Sequence, residues 1–331
     1  MNTMLSLFAL TIALATAPDP LVQIIERLNH EVDASVKRDA QPRLDAASKA
    51  ASEGRRMLAI YQTATVLPMI EAAKFANARP EAERNDEAAF EKTWKSDEAL
   101  RAPEKLSPLE PALLRAFAEG SVLRGRNFYN ASLDYARSTT AESGFYYLGR
   151  AHAEHALIAA LQTLSTKGGA AAPPLRDLAP DIDALQHILL TAYKPPASMN
   201  RHDEFITASA VLKEAREPDE AGLRYGALLR YLDAAQRTGR IAGTLASAPE
   251  LREHLAKWRE RLRATRGDHS IAQLFLELAE ADLESGKEAA MAASVDSFVL
   301  PRYFAALGSA PATRPKPKAL AHVTLIRWPY T

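Results

Sequence analysis

The chain has 331 residues, of which 47% are hydrophobic and 25% charged, a size and balance that suit one large helical array or two ordinary domains. Lys and Arg total 41, as do Asp and Glu, so the formal net charge is zero and no global field recruits nucleic acid or collects cations. Cysteine is absent, which excludes disulfides, thiolate metal sites, a cysteine nucleophile and a lipid anchor on cysteine.

Only 14 Gly stand against 20 Pro, and alanine is abundant, which favours helices over a sheet-rich fold. Residues 5–15 (LSLFALTIALA) form an apolar run too short to span a bilayer as a helix and of the right length for a signal-peptide core. Ala13-Leu14-Ala15 is the preferred cleavage pattern, so residues 1–15 are read as a signal peptide, with the mature chain periplasmic or secreted and without a stable transmembrane anchor.

Residues 16–166 read as an N-terminal helical region. Leu21, Ile24, Ile25, Leu28 and Val32 share one helix face, and that helix can run on to about Ser52. Met57, Ile60, Tyr61 and Ala64 mark the next, which Pro68 is expected to kink or end because proline lacks the N–H and clashes one turn back. Ala88, Phe90 and Trp94 mark a third after the polar connection 79–86. Residues 111–164 hold the densest aromatic cluster of the chain and read as three consecutive helices.

Residues 167–174 (KGGAAAPP) are the best linker candidate. A C-terminal helical region, 175–310, follows. Its apolar stripes are Ile182, Leu185, Leu189 and Ala192, stopped by Pro195-Pro196; Phe205, Ala208, Val211, Leu212 and Ala215; Ala221, Tyr225, Leu228, Leu229 and Leu232; Leu251, Leu255, Trp258 and Leu262; and Ile271, Leu274, Phe275 and Leu278, ending at Gly286. Residues 311–331 form a Pro-rich basic tail in which 311–318 read as an extended spacer and 323–328 as a short strand.

The alternation of helices with short polar breaks predicts an all-α fold of stacked antiparallel helical hairpins with a short C-terminal extended tail. Phe145, Leu148, Gly149 and His152 match the large residue, Leu-Gly pair and following position of a repeat's first helix, and Phe117, Ala118 and Ser121 match it more loosely. Gly125, Phe128, Ala131 and Tyr135 match the glycine turn and second helix. Phe275, Leu278, Ala279 and Gly286, with Ala289 and Ala290, repeat the pattern faintly. On these residues the chain resembles a degenerate tetratricopeptide-type array, mainly over 111–164. The resemblance implies a scaffold that holds a protein or peptide on a concave face.

Candidate chemistry is sparse. The sequence has no GxSxG elbow, Walker loop, GxGxxG, CxxC or EF-hand loop. Arg126, Tyr129, Tyr146, Tyr147 and Arg150 are the candidate partner-binding set, an aromatic, arginine-edged groove for a peptide or anionic ligand. His152 and His155 lie three apart, a spacing that lets two imidazoles share a helix face and ligate a metal. That spacing is not HExxH, and one packed histidine at the repeat position beside one solvated histidine is the simpler reading. Asp282 falls on the apolar stripe of its helix and needs a partner such as an arginine. The reading favoured by the sequence is an exported scaffold without catalysis or cofactor that binds no nucleic acid. A metal enzyme built on His152 and His155, and an Arg/Tyr-lined small-ligand pocket, are the alternatives.

Overall fold

A computed structural model describes residues 19–308 apart from 102–105, 107–108, 167, 244–245 and 287–288. The signal-peptide reading at 1–15 and the tail readings at 311–318 and 323–328 lie outside the described residues. Among those residues the fold is all-α, and an isolated antiparallel bridge joins Leu175 to Leu307.

The first helices follow their apolar stripes. Helix α1 (Pro20–Glu31) is capped by Asp19, whose carboxylate accepts the Leu21 N–H, and it buries Leu21, Ile25 and Leu28. The expected continuation to Ser52 is interrupted. Asp33 accepts hydrogen bonds from the Ser35 and Val36 N–H groups, and this local turn separates α1 from α2 (Lys37–Ser52). Helix α3 (Arg56–Asn77) passes through Pro68 rather than ending there. Thr63, Val66, Leu67 and Ile70 are all buried, so tertiary packing on both sides of the proline outweighs the one lost backbone bond. Two short helices, α4 (Glu81–Arg84) and α5 (Glu87–Ser96), and a 3₁₀ turn (Glu98–Arg101) follow.

The stretch 111–164 forms two long helices instead of three, α6 (Ala112–Ser138) and α7 (Ala141–Leu164). Gly125 makes no turn. It sits inside α6, where a Cβ would meet the Glu154 and His155 side chains at 3.4 Å, so its role is close helix approach. Gly125 opposite His155 and Ala136 opposite Gly144 fix an antiparallel register. Thr140 caps α7, accepting the Ser143 N–H at 3.1 Å.

Helices α8 (Ala179–Ala192), α9 (His202–Glu220) and α10 (Arg224–Ala242) come next. The pairs Glu204–Arg240 at 2.6 Å, Glu214–Arg230 at 3.6 Å and Asp219–Arg224 at 3.1 Å run α9 and α10 antiparallel. Helix α11 (Ala248–Ala264) carries a capping box of Ser247 and Glu250, and α12 (Ser270–Ser285) ends at Gly286, whose φ of +66° is the left-handed cap conformation. A last helical run, which the sequence stripes did not mark, consists of α13 (Ala290–Ser294), a π turn (Val295–Val299) and α14 (Leu300–Ala306).

The hairpins stack side by side. Helix α3 packs on α7 and α6 packs on α10, so α2–α3, α7–α6 and α10–α9 form successive layers, with α8 on α9 and α10. Helix α12 lies across α3 and α6, backed by α11 and the α13–α14 run. One contiguous apolar core links residues from Leu21 to Ala306.

Carboxylates and one serine hydroxyl lock this arrangement at helix N-termini, where backbone N–H groups lack partners and the dipole favours negative charge. Glu277 of α12 accepts the Leu58 N–H at 2.8 Å at the start of α3. Asp268 accepts the Ala112 N–H and Ser270 accepts the Leu113 N–H at 3.0 Å at the start of α6. Glu119 of α6 accepts the Gly226 N–H at 2.8 Å at the start of α10. Asp282 has a partner of the same kind, its carboxylate accepting the Ala292 N–H at 3.4 Å in α13.

Candidate partner-binding face

The distal half of the α6–α7 hairpin has two aromatic faces. One is covered by α5. Trp94 stacks on Tyr129 at 5.1 Å, the Trp94 indole N–H donates to the Tyr129 carbonyl at 3.3 Å, and the Tyr129 hydroxyl donates to the Trp94 carbonyl at 2.9 Å. Phe90 meets Phe145 edge-on at 5.2 Å in the same small core.

The other face is open. Tyr135 of α6 stacks on Tyr147 of α7 at 4.1 Å, and Tyr146 meets Tyr147 edge-on at 5.3 Å. The Arg150 guanidinium lies 4.6 Å from the Phe128 ring and donates to the Tyr146 hydroxyl at 3.2 Å. Tyr146 is 53% exposed and Tyr135 38%, so this face presents aromatic carbon to solvent where the first face hides it. Burial and hydrogen bonding with Tyr135 push the Tyr147 phenol up to about 12, so it stays neutral across the physiological range. Rings stacked on one another and held by an arginine lose little rotamer freedom on binding, as recognition surfaces favour.

The five residues singled out in the sequence therefore divide. Tyr146, Tyr147 and Arg150 come together on the open face. Tyr129 is fully buried against Trp94. Arg126 points to α9, where it and Asn127 bond the Glu217 carboxylate at 3.3 and 3.2 Å. Phe128 and Tyr135 complete the face; their spacing of seven on α6 is the signal that places them together.

His152 and His155 meet different neighbours. His152 stacks on Phe75 at 4.6 Å and pairs with Asp97 at 2.7 Å, whereas His155 packs over Gly125. Among the described residues no group of three His, Asp or Glu side chains is arranged to hold a metal ion. Glu154, between the two histidines, makes a two-point pair with Arg124 at 2.9 and 2.8 Å inside the hairpin. Compared with known proteins, the chain matches no family model, no curated protein and no solved structure.

A polar cleft of about 290 Å³ lies where the N-termini of α6 and α12 converge, lined by Glu110, Thr166, Asp268, His269, Ser270 and Gln273 among others. Its groups already serve the fold. Asp268 and Ser270 cap α6, Glu110 accepts the Gly169 N–H at 2.9 Å, and His269 lies 2.7 Å from the Tyr303 hydroxyl. On the basic side of α11, Arg259 pairs with Glu280, Lys257 with Glu253 at 2.6 Å, and Arg261 lies 4.1 Å from the Phe304 ring. No described helix is long and apolar enough to cross a membrane.

Proposed function

We propose that this chain is an exported, non-catalytic scaffold of the tetratricopeptide-like kind that binds a peptide or protein partner in the cell envelope through the open face of α6 and α7. The observation that carries this reading is the exposed ring series Tyr135–Tyr147–Tyr146, braced by Arg150. Exposed, preordered aromatics with an arginine edge are the anchors that dominate binding energy at interfaces. The buried carboxylates Glu119, Glu154 and Glu277 each support the reading, because each is held by a helix N-terminus or an arginine rather than presented to a substrate. Export rests on the apolar run at residues 5–15.

The test is recovery of partners from the native envelope fraction on the full chain, with Tyr146→Ala and Arg150→Ala as paired variants. Both positions lie outside the buried core, and unchanged circular dichroism checks that the fold is kept. A specific partner is expected to lose about tenfold or more in affinity on either change, the scale of an interface anchor. Equal recovery by wild type and both variants overturns the reading. N-terminal sequencing of the fractionated protein tests export, and an intact N-terminus in the cytoplasm overturns that part.

A further inference from the structure

A second exposed apolar area lies at the corner between α8 and α9. Leu190, Met199 and Ile206 are 56%, 54% and 38% exposed. Between them lies Tyr193 in the chain, which stacks on Phe205 at 4.1 Å, lies 3.6 Å from the Met199 sulfur and bonds His202 at 2.7 Å. Leu190 stands three residues before Tyr193 at the end of α8, and Ile206 one turn after His202 on α9, so these exposed side chains flank the same corner.

We propose that this corner is the docking site for the chain's own segment 319–328, which lies outside the described residues. The place where the described chain stops carries the argument. Gly308 donates to the Pro174 carbonyl at 3.2 Å and packs on Arg176, just before α8 begins. The α8 axis runs roughly 21 Å from there to the corner, at 1.5 Å per residue. Between Gly308 and the docking segment lie ten residues, 309–318, which include Pro311, Pro315 and Pro317 and reach at most about 31 Å at ~3.1 Å per residue. That reach exceeds the length of α8, which brings segment 319–328, with Val323, Leu325, Ile326 and Trp328, within range of the corner.

The chemistry of the two surfaces agrees. Residues 323–328 are β-prone and apolar with a single charge, Arg327, a composition that associates with other chains unless it is covered. The corner supplies the apolar cover and carries the exposed carboxylate of Asp203 at its edge for Arg327. This inference does not depend on the α6–α7 face, which is built from other helices.

The absence of cysteine permits a direct test in the full-length chain. Leu190→Cys is combined with Ile326→Cys, and Arg38→Cys, at a highly exposed position on α2, is combined with the same tail cysteine as a control. Under mild oxidation the first pair is expected to close within one chain about tenfold faster than the control, because docking raises effective concentration above that of a free tether. Adding Ile206→Arg to the first pair is expected to remove that advantage while circular dichroism stays unchanged. Equal closure rates for the two pairs, no effect of Ile206→Arg, or predominant disulfides between chains, which would make a second copy the occupant, each overturn the proposal.

Discussion

The Glu277 carboxylate accepts the Leu58 N–H at 2.8 Å across 219 residues of sequence, so a side chain of α12 caps the first turn of α3. Gln273 donates to its other oxygen at 2.9 Å. Burial raises its pKa above the ordinary carboxylate value, and these hydrogen bonds only partly oppose the shift. Replacing Glu277 by Ala leaves a buried N–H unpaired and is expected to remove about 1–3 kcal/mol of stability. Glu277→Gln keeps an accepting oxygen and costs less. A raised folded pKa means a contribution that is complete at low pH and is lost as pH rises through that value. Glu277→Gln therefore gains on wild type as pH rises above the ordinary carboxylate value of 4.5 in denaturant unfolding, and parallel pH profiles refute the linkage.

Glu154 and Arg124 give a sharper case. Their two-point pair is enclosed in the α6–α7 hairpin, with the Ser121 hydroxyl accepting from Arg124 at 3.1 Å. Desolvation disfavours the Arg124 charge, yet Glu154 overcomes it and its pKa is raised. Glu154→Ala is expected to destabilise by about 1–3 kcal/mol, since it leaves a half-buried cation without its carboxylate. The double variant Arg124→Met with Glu154→Leu restores much of that loss. Chemical denaturation of the four proteins in a double-mutant cycle checks it, and additive losses count against a coupled pair.

Local pattern made much of this fold legible. The stripe at Leu251, Leu255, Trp258 and Leu262 is α11, and the one from Ile271 to a terminating Gly286 is α12. Relations between distant elements were not legible. Gly125 looks like a turn until α7 is seen packed against it. Nothing in the neighbourhood of Tyr129 announces that Trp94, 35 residues earlier, covers it, or that Glu217, 91 residues later, takes Arg126. Tyr146, Tyr147 and Arg150 were readable because they lie on adjacent turns of one helix, where contact follows from sequence spacing alone.

Gly144 tests whether close approach outweighs helix propensity. A Cβ there would stand 2.5 Å from the Ala136 Cβ and 2.8 Å from the Phe90 ring. Propensity alone predicts that Gly→Ala inside a helix stabilises by about 1 kcal/mol. Overpacking a tight core costs about 1–3 kcal/mol, and both neighbours here are confined by packing. Gly144→Ala is therefore expected to lower the thermal midpoint. A raised midpoint shows that α5 can yield.

Asp219 sits at the end of α9 beside Asp177 and Arg224. Burial pushes its pKa from 3.8 up to about 6, Arg224 opposes this and Asp177 adds to it. Asp177 moves the other way, held low first by the Ala179 N–H. The raised value fixes the sign. The group favours the folded state most below 3.8, and that advantage disappears as pH rises through about 6. Asp219→Asn removes this dependence. The variant is expected to gain on wild type across that window by at most about 3 kcal/mol, two pKa shifts of about 1.4 kcal/mol each, reduced by the opposite shift of Asp177. Urea unfolding at several pH values measures it. A gain confined to values above about pH 8 would assign the titration to another group, because Asp219 has lost its proton by then.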